Sequence, residues 1–301
     1  MSDASSVRPM VDFSSSFKEW DVDALVDRWF FRPVGELIVR VLLPTRIRPN
    51  QVSVASLGAG LLAGVCYDRV GVRANVAGAL LLALSVVLDA VDGQLARRRG
   101  QASETGKLFD TLADVPKTIA VMFGLAFGML RTGGWGPLPV PAGLSPAVAI
   151  WTLGWLAGLS MIWQVTTRNE FVATYRRIGK GIDDPTGPRL DRVREELLAM
   201  RARGGFWLER GVVPVVLWLS RLLPARPRPV DGPIRPGYVE AMRPYIRLWT
   251  FFGGATQFAA LVVASLLGAP VWGWIFIGIV ANVAYLPLLA ATIRAHRRAL
   301  G

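Results

Sequence analysis

The stretch that decides both fold and chemistry is DAVDGQLARRRGQASETGKLFDTLAD, residues 89–114, a polar join between two long apolar segments. Residues three or four apart share a face of a helix, so Asp89 projects with Asp92, and Asp110 projects with Asp114. If the polar turn folds the second helix back against the first, all four carboxylates converge on one point.

Four carboxylates that converge at membrane depth need compensating positive charge, because ionised side chains are costly there. Oxygen ligands without His or Cys suit Mg²⁺ or Mn²⁺ better than zinc, and Mg²⁺ usually completes its shell with substrate phosphates. Four carboxylates also suffice for two ions, which can clamp both oxygens of a displacement at phosphorus. We therefore predict that Asp89, Asp92, Asp110 and Asp114 bind two Mg²⁺ or Mn²⁺ ions beside a phosphorylated ligand.

The residues between the aspartates are small or basic. Gly93 and Ala96 fall on the face of Asp89 and leave room for a bulky ligand, and Gly106 allows close approach at the start of the second helix. Arg97 lies at the end of the first helix, where its guanidinium can pair with a phosphate through two hydrogen bonds. The pattern predicts a slot for a nucleotide pyrophosphate.

The composition indicates a membrane protein, since 52% of the 301 residues are hydrophobic and several apolar runs approach the roughly 20 residues that a spanning helix needs. We predict an all-α integral membrane protein with six transmembrane helices, preceded by an N-terminal interfacial amphipathic helix. The predicted spans cover residues 50–66, 74–97, 105–130, 147–167, 248–267 and 270–293.

The same patterns divide the chain into five regions. Residues 1–16 are polar and Ser-rich and predict a disordered cytosolic tail, whereas residues 17–49 predict the interfacial helix region. Residues 50–167 hold the first four spans with the aspartate motif, and residues 248–301 hold the last two spans and a basic tail. Between them, residues 168–247 carry 16 Lys and Arg against 9 Asp and Glu, which predicts a basic cytoplasmic insertion with interfacial helices. Within it, the stretch LDRVREELLAMRA predicts a charged helix.

The net charge of +12 fits a membrane protein better than a nucleic-acid-binding protein, because the chain shows no nucleic-acid motif and no aromatic-rich basic platform. Basic residues of membrane proteins gather on the cytoplasmic side, and Arg97, Arg98 and Arg99 end the second predicted span. We therefore predict an integral membrane protein, in the cell membrane if the source is a bacterium, with its active site towards the cytoplasm. The single Cys66 excludes an internal disulfide.

The motif resembles the signature of the CDP-alcohol phosphotransferase family, also called CDP-alcohol phosphatidyltransferases. That signature has two aspartates, a glycine, an alanine, an arginine, a second glycine and two more aspartates at this spacing, and all eight positions match here. The family also has six membrane helices after an interfacial helix, and often a Pro-Asn pair before the first span, as in Pro49-Asn50. The resemblance implies metal-dependent transfer of a phosphoalcohol from a CDP-alcohol donor to an alcohol acceptor, with release of CMP, in phospholipid biosynthesis.

Roles for single residues follow from the resemblance alone. It implies that Asp114 is the catalytic base as well as a metal ligand, and that Gly93, Ala96, Arg97 and Gly106 bind the CDP part of the donor. It also implies a homodimer that works in contact with membrane lipids.

The substrate stays open between two classes. CDP-diacylglycerol can donate a phosphatidyl group to a polar alcohol, which family frequency favours, or a CDP-linked headgroup can pass to a lipid alcohol. A membrane cation or proton transporter that uses the aspartate cluster is the alternative of a different class. A transport path gives no reason for Gly93, Ala96, Arg97 and Gly106 to stand at these intervals, which favours the transferase.

Overall fold

The computed structural model describes residues 24–132, 143–182, 190–203 and 235–300, together with Val22 and Val140, and every regular element in these ranges is helical. The predicted tail at residues 1–16 lies outside them. The α-helices are α1 (Arg32–Leu42), α2 (Pro49–Asp68), α3 (Val72–Arg98), α4 (Glu104–Arg131), α5 (Pro146–Lys180), α6 (Leu190–Arg203), α7 (Pro236–Trp249), α8 (Gly254–Leu266), α9 (Val271–Ile275) and α10 (Ala281–Leu300). A π-helical turn, Asp27–Phe31, precedes α1, and another, Phe276–Val280, joins α9 to α10.

Five helical stretches in the described part of the chain are long and apolar enough to cross a membrane. They are Val72–Arg98, Glu104–Arg131, Pro146–Lys180, Gly237–Leu266 and Val271–Leu300. These stretches correspond to the second to sixth predicted spans. The first predicted span, residues 50–66, falls in the 20-residue α2, which is not one of the five. The prediction of six spans is thus not confirmed, and a crossing by α2 stays a prediction.

Two spans extend beyond their predicted limits into residues 168–247. The fourth was predicted to end at Thr167, but α5 continues to Lys180, where Gly181 closes the helix with a left-handed φ of 65°. The fifth was predicted to begin at residue 248, but its helical stretch begins at Gly237 and is interrupted by the 3₁₀ turn Thr250–Phe252. Residues 190–203 form the charged helix α6, and residues 204–234 lie outside the described ranges.

Helix α2 lies between α3 and α4, which contact each other little. Its small residues permit this close packing. Ser56 donates a hydrogen bond to the carbonyl oxygen of Ser85 on α3, and Ser85 donates one to that of Ser56, both at 2.8 Å. Gly64 lies against the backbone of Ala120 on α4. Helix α4 thus packs mainly on α2, and its contact with α3 is made by side chains around the motif, such as Lys117 with Asp89.

The face of α1 that carries Glu36 and Val39 packs against the protein. Glu36 is buried and forms an ion pair of 2.6 Å with Arg98 at the end of α3. The adjacent Arg99 donates hydrogen bonds to the carbonyl oxygens of Leu42 and Thr45, at 2.7 and 2.9 Å. Two of the most exposed side chains of α1 are apolar, Leu37 and Val41. These contacts tie α1 to the motif end of α3, while its place in the membrane interface stays a prediction.

We expect Gly124→Ala to destabilise the protein, because a Cβ there would overlap the carbonyl oxygen of Gly64 and force α2 away from α4. Overpacking of this kind costs about 1–3 kcal/mol. Thermal unfolding of the purified protein measures it. Gly58→Ala is the matched control, since nothing lies within 4 Å of a Cβ at that position on α2. Equal unfolding temperatures for the two variants would contradict the close packing of α2 and α4.

Candidate metal centre

Three of the predicted metal ligands meet between α3 and α4. Asp89, Asp110 and Asp114 each offer one carboxylate oxygen, and these oxygens all lie within 4.8 Å of one another. The side chains of Asp89 and Asp114 are 34% and 46% exposed, so the cluster is open on one side. This arrangement provides a set of oxygen ligands that a ligand from outside can reach.

Asp92 is held beside these three. It is buried, and its Oδ2 accepts a hydrogen bond of 2.5 Å from Ser53 Oγ on α2. It follows Asp89 by three residues on α3, so the two carboxylates share one face of that helix. The structure therefore brings three of the four predicted ligands together and anchors the fourth next to them. Metal binding by all four stays a prediction.

Lys117 completes the cluster and was missed in the sequence. Its Nζ lies 2.8 Å from Asp89 Oδ1 and 2.5 Å from Asp114 Oδ1, and its side chain is only 4% exposed. It stands one helical turn after Asp114, so it shares the face of the motif aspartates on α4. A lysine inside an apolar segment, at that distance from the motif, was the signal that could have identified it.

The residues fit a divalent cation of the Mg²⁺ or Mn²⁺ kind. The ligand set consists of carboxylate oxygens, which such ions prefer. Asp110 Oδ1 is buried and has no hydrogen-bond partner among the described residues. A buried carboxylate oxygen without a donor is unfavourable, and an ion at this point would satisfy it.

The small and basic motif residues flank the cluster. Within 4 Å, a Cβ on Gly93 would meet only Arg97 Nη1, at 3.3 Å, so the space over this part of α3 is open. On α4, the backbone N–H of Gly106 donates a hydrogen bond of 3.0 Å to Ser103 Oγ, which caps the helix. Gly93, Ala96 and Gly106 are partly exposed, and Arg97 is exposed. The binding of a nucleotide pyrophosphate by these four residues stays a prediction.

Helix α6 holds the start of α4 in place. Glu196 accepts hydrogen bonds from the backbone N–H groups of Glu104 and Thr105, at 3.1 and 2.8 Å, and from Thr105 Oγ1 at 2.7 Å. Beside it, Val193 and Leu197 pack on Leu108 of α4. The sequence predicted a charged helix here but not its partner. The contact matters for the site because Gly106 directly follows Thr105.

Comparison with known proteins agrees with the motif. Residues 46–180, which contain α2 to α5, match the CDP-alcohol phosphatidyltransferase family. The chain is 40% identical over 92 residues to the bifunctional IPC transferase and DIPP synthase of Rubrobacter xylanophilus, which covers 29% of this chain and 19% of that protein. It is 32% identical over 95 residues to the archaetidylinositol phosphate synthase of Pyrococcus horikoshii, which covers 32% of this chain and 49% of that protein. The matches thus span less than half the length of these curated relatives.

We expect Glu196→Ala to loosen the first turn of α4, because its backbone N–H groups lose a charged acceptor. Loss of a helix cap of this kind costs about 1 kcal/mol, so amide hydrogen exchange at Glu104 and Thr105 should accelerate severalfold, up to roughly tenfold. Glu195→Ala is the control, since Glu195 is an exposed neighbour on the same helix. Equal exchange at these amides in both variants would contradict this role for Glu196.

Proposed function

We propose that this chain is a membrane-embedded CDP-alcohol phosphotransferase of phospholipid biosynthesis, a proposal that the match of residues 46–180 to the CDP-alcohol phosphatidyltransferase family supports. It transfers a phosphoalcohol from a CDP-linked donor to a hydroxyl acceptor and releases CMP. The observation that carries the proposal is the cluster of Asp89, Asp110 and Asp114, whose oxygens lie within 4.8 Å of one another. Asp89 and Asp114 are partly exposed, so a ligand from outside can reach the cluster.

The four aspartates Asp89, Asp92, Asp110 and Asp114 would hold Mg²⁺ or Mn²⁺. When bound, the metal would grip the donor's pyrophosphate and neutralise the charge that develops on departing CMP. Four carboxylates suffice for two ions. Lys117 pairs with two of these carboxylates and therefore affects how many ions can bind. Ser53 keeps Asp92 oriented towards the other three through its hydrogen bond.

The CDP part would lie along the slot bordered by Gly93, Ala96, Arg97 and Gly106. Gly93 leaves the α3 backbone accessible, and the guanidinium of Arg97 lies close enough to it to meet a phosphate there. Gly106 follows the first turn of α4, which Ser103 and Glu196 hold in place. These contacts fix the donor so that its β-phosphorus faces the aspartates.

Transfer exchanges one phosphorus–oxygen bond for another. The acceptor hydroxyl oxygen bonds to the donor's β-phosphorus, and the bond from that phosphorus to the CMP oxygen breaks. The hydroxyl proton passes to the carboxylate of Asp114, the residue that the family assigns as the base. Asp114 is half-exposed and can be reached by an acceptor, and its ion pair with Lys117 holds the carboxylate in one orientation.

For the donor we propose CDP-diacylglycerol, with the phosphatidyl group passing to a small polar alcohol. The Pyrococcus relative supports this direction, since its name describes a lipid joined to inositol phosphate. Transfer of a CDP-linked headgroup to a lipid alcohol is the alternative within the same chemistry. A cation or proton transporter is disfavoured, because the match of residues 46–180 and the spacing of the eight motif residues both favour a CDP-alcohol transferase.

The setting of the reaction is proposed as well. The active site faces the cytoplasm, because Arg97, Arg98 and Arg99 stand at its end of α3 and positive residues favour that side. Family membership implies a homodimer in contact with membrane lipids.

Two substitutions separate metal binding from proton transfer. Asn keeps the size of Asp but not its charge, so Asp89→Asn should lose both turnover and the Mg²⁺-dependent affinity for a CDP donor. Asp114→Asn should lower turnover about 10²–10⁴-fold, since the amide cannot take the proton, and keep most of that affinity. Donor titrations with and without Mg²⁺, together with CMP release, measure both.

Asp68→Asn is the control, because Asp68 pairs with Arg131 at the far end of α2 and should retain both properties. Full turnover by Asp114→Asn would eliminate it as the base. Unchanged Mg²⁺-dependent affinity in Asp89→Asn would argue against the aspartates as the metal ligands.

A further inference from the structure

Lys117 lies at the aspartate centre without belonging to the eight-residue motif. Its ammonium group bridges Asp89 on α3 and Asp114 on α4, at 2.8 and 2.5 Å. A buried ammonium group is unfavourable unless carboxylates surround it, so the pairing with both aspartates accounts for its presence at this depth.

The position of this side chain is fixed by packing. A Cβ on Gly60 of α2 would come within 2.6 Å of Lys117 Cβ and 3.4 Å of its Cδ, so the stem lies directly against the glycine backbone. Ser85 of α3 lines the same contact. The side chain is only 4% exposed, so these helices and the two carboxylates enclose it. We expect the ammonium group to stay near Asp89 and Asp114 when a metal ion binds.

We propose that the Lys117 ammonium supplies one of the positive charges of this centre, so that the chain binds one divalent ion tightly where four carboxylates alone would bind two. The inference rests on the proposed function, from which the metal requirement comes. A second ion would have to share Asp89 and Asp114 with the ammonium group, and the repulsion between the two cations would weaken its binding. The first ion would take Asp110, whose Oδ1 has no other described partner, together with the free oxygens of its neighbours.

Lys117→Met tests this directly, because methionine has a similar length and no charge. The probe is Mn²⁺, titrated into the purified full chain in lipid nanodiscs and counted by electron paramagnetic resonance. We expect one tightly bound ion per wild-type chain. In Lys117→Met a second ion should bind at concentrations at least tenfold lower than in the wild type. Lys107→Met is the control on the same helix, since Lys107 is exposed and pairs with Glu104, and it should match the wild type.

Thermal unfolding gives a second readout without activity. A chelator should lower the unfolding temperature of the wild type only a little. It should lower that of Lys117→Met more, and added Mn²⁺ should restore it. If Lys117→Met does not fold, the numbers of Mn²⁺ ions bound by the wild type and by Lys117→Arg test the inference. Lys117→Arg keeps the positive charge and should also bind one ion.

Two equally tight ions in the wild type would overturn the inference and leave the proposed function intact. The same holds if folded Lys117→Met shows the wild-type count and affinity. Failure of the wild type to bind any Mn²⁺ would overturn the proposed function as well.

Discussion

Four aspartates in two apolar helices are energetically unfavourable unless positive charges or hydrogen-bond donors lie beside them. Several neighbouring side chains provide these groups. Asp92 is buried with a hydroxyl donor, Ser53, and Lys117 places an ammonium group between Asp89 and Asp114. Even so, Asp110 keeps a buried oxygen without a donor among the described residues. The remaining negative charge is what would attract the divalent ion and, through it, the phosphorylated ligand that we propose.

Helix α2 makes this centre possible. Its glycines and serines let it lie between α3 and α4 at close range, and two of its residues reach the aspartates, Ser53 directly and Gly60 through Lys117. Helix α2 begins with Pro49, Asn50 and Gln51 and ends at Asp68, and it is not one of the five described stretches that are long and apolar enough to cross a membrane.

The sequence was informative where the signal is local. Long apolar runs predicted the helices that contain five of the spans, and the spacing of the aspartates predicted that Asp89, Asp110 and Asp114 would meet. It was less informative where partners are distant in the chain. Helix α6 was predicted, but nothing in its periodicity says that Glu196 binds the start of α4. The break between α7 and α8 falls at Thr250–Phe252, directly before Gly253 and Gly254, and a hydropathy profile passes over it.

The account is tested most directly by supplying the purified chain with Mg²⁺ and measuring CMP. CDP-diacylglycerol and CDP-linked headgroups would each be offered with a panel of polar and lipid alcohols, with and without a chelator, and CMP and lipid products identified by mass spectrometry. We expect CMP and a matching phospholipid from CDP-diacylglycerol and a polar alcohol, and neither when the chelator removes Mg²⁺. Absence of CMP with every donor and acceptor, or the same CMP release in the chelator, would contradict a metal-dependent CDP-alcohol phosphotransferase.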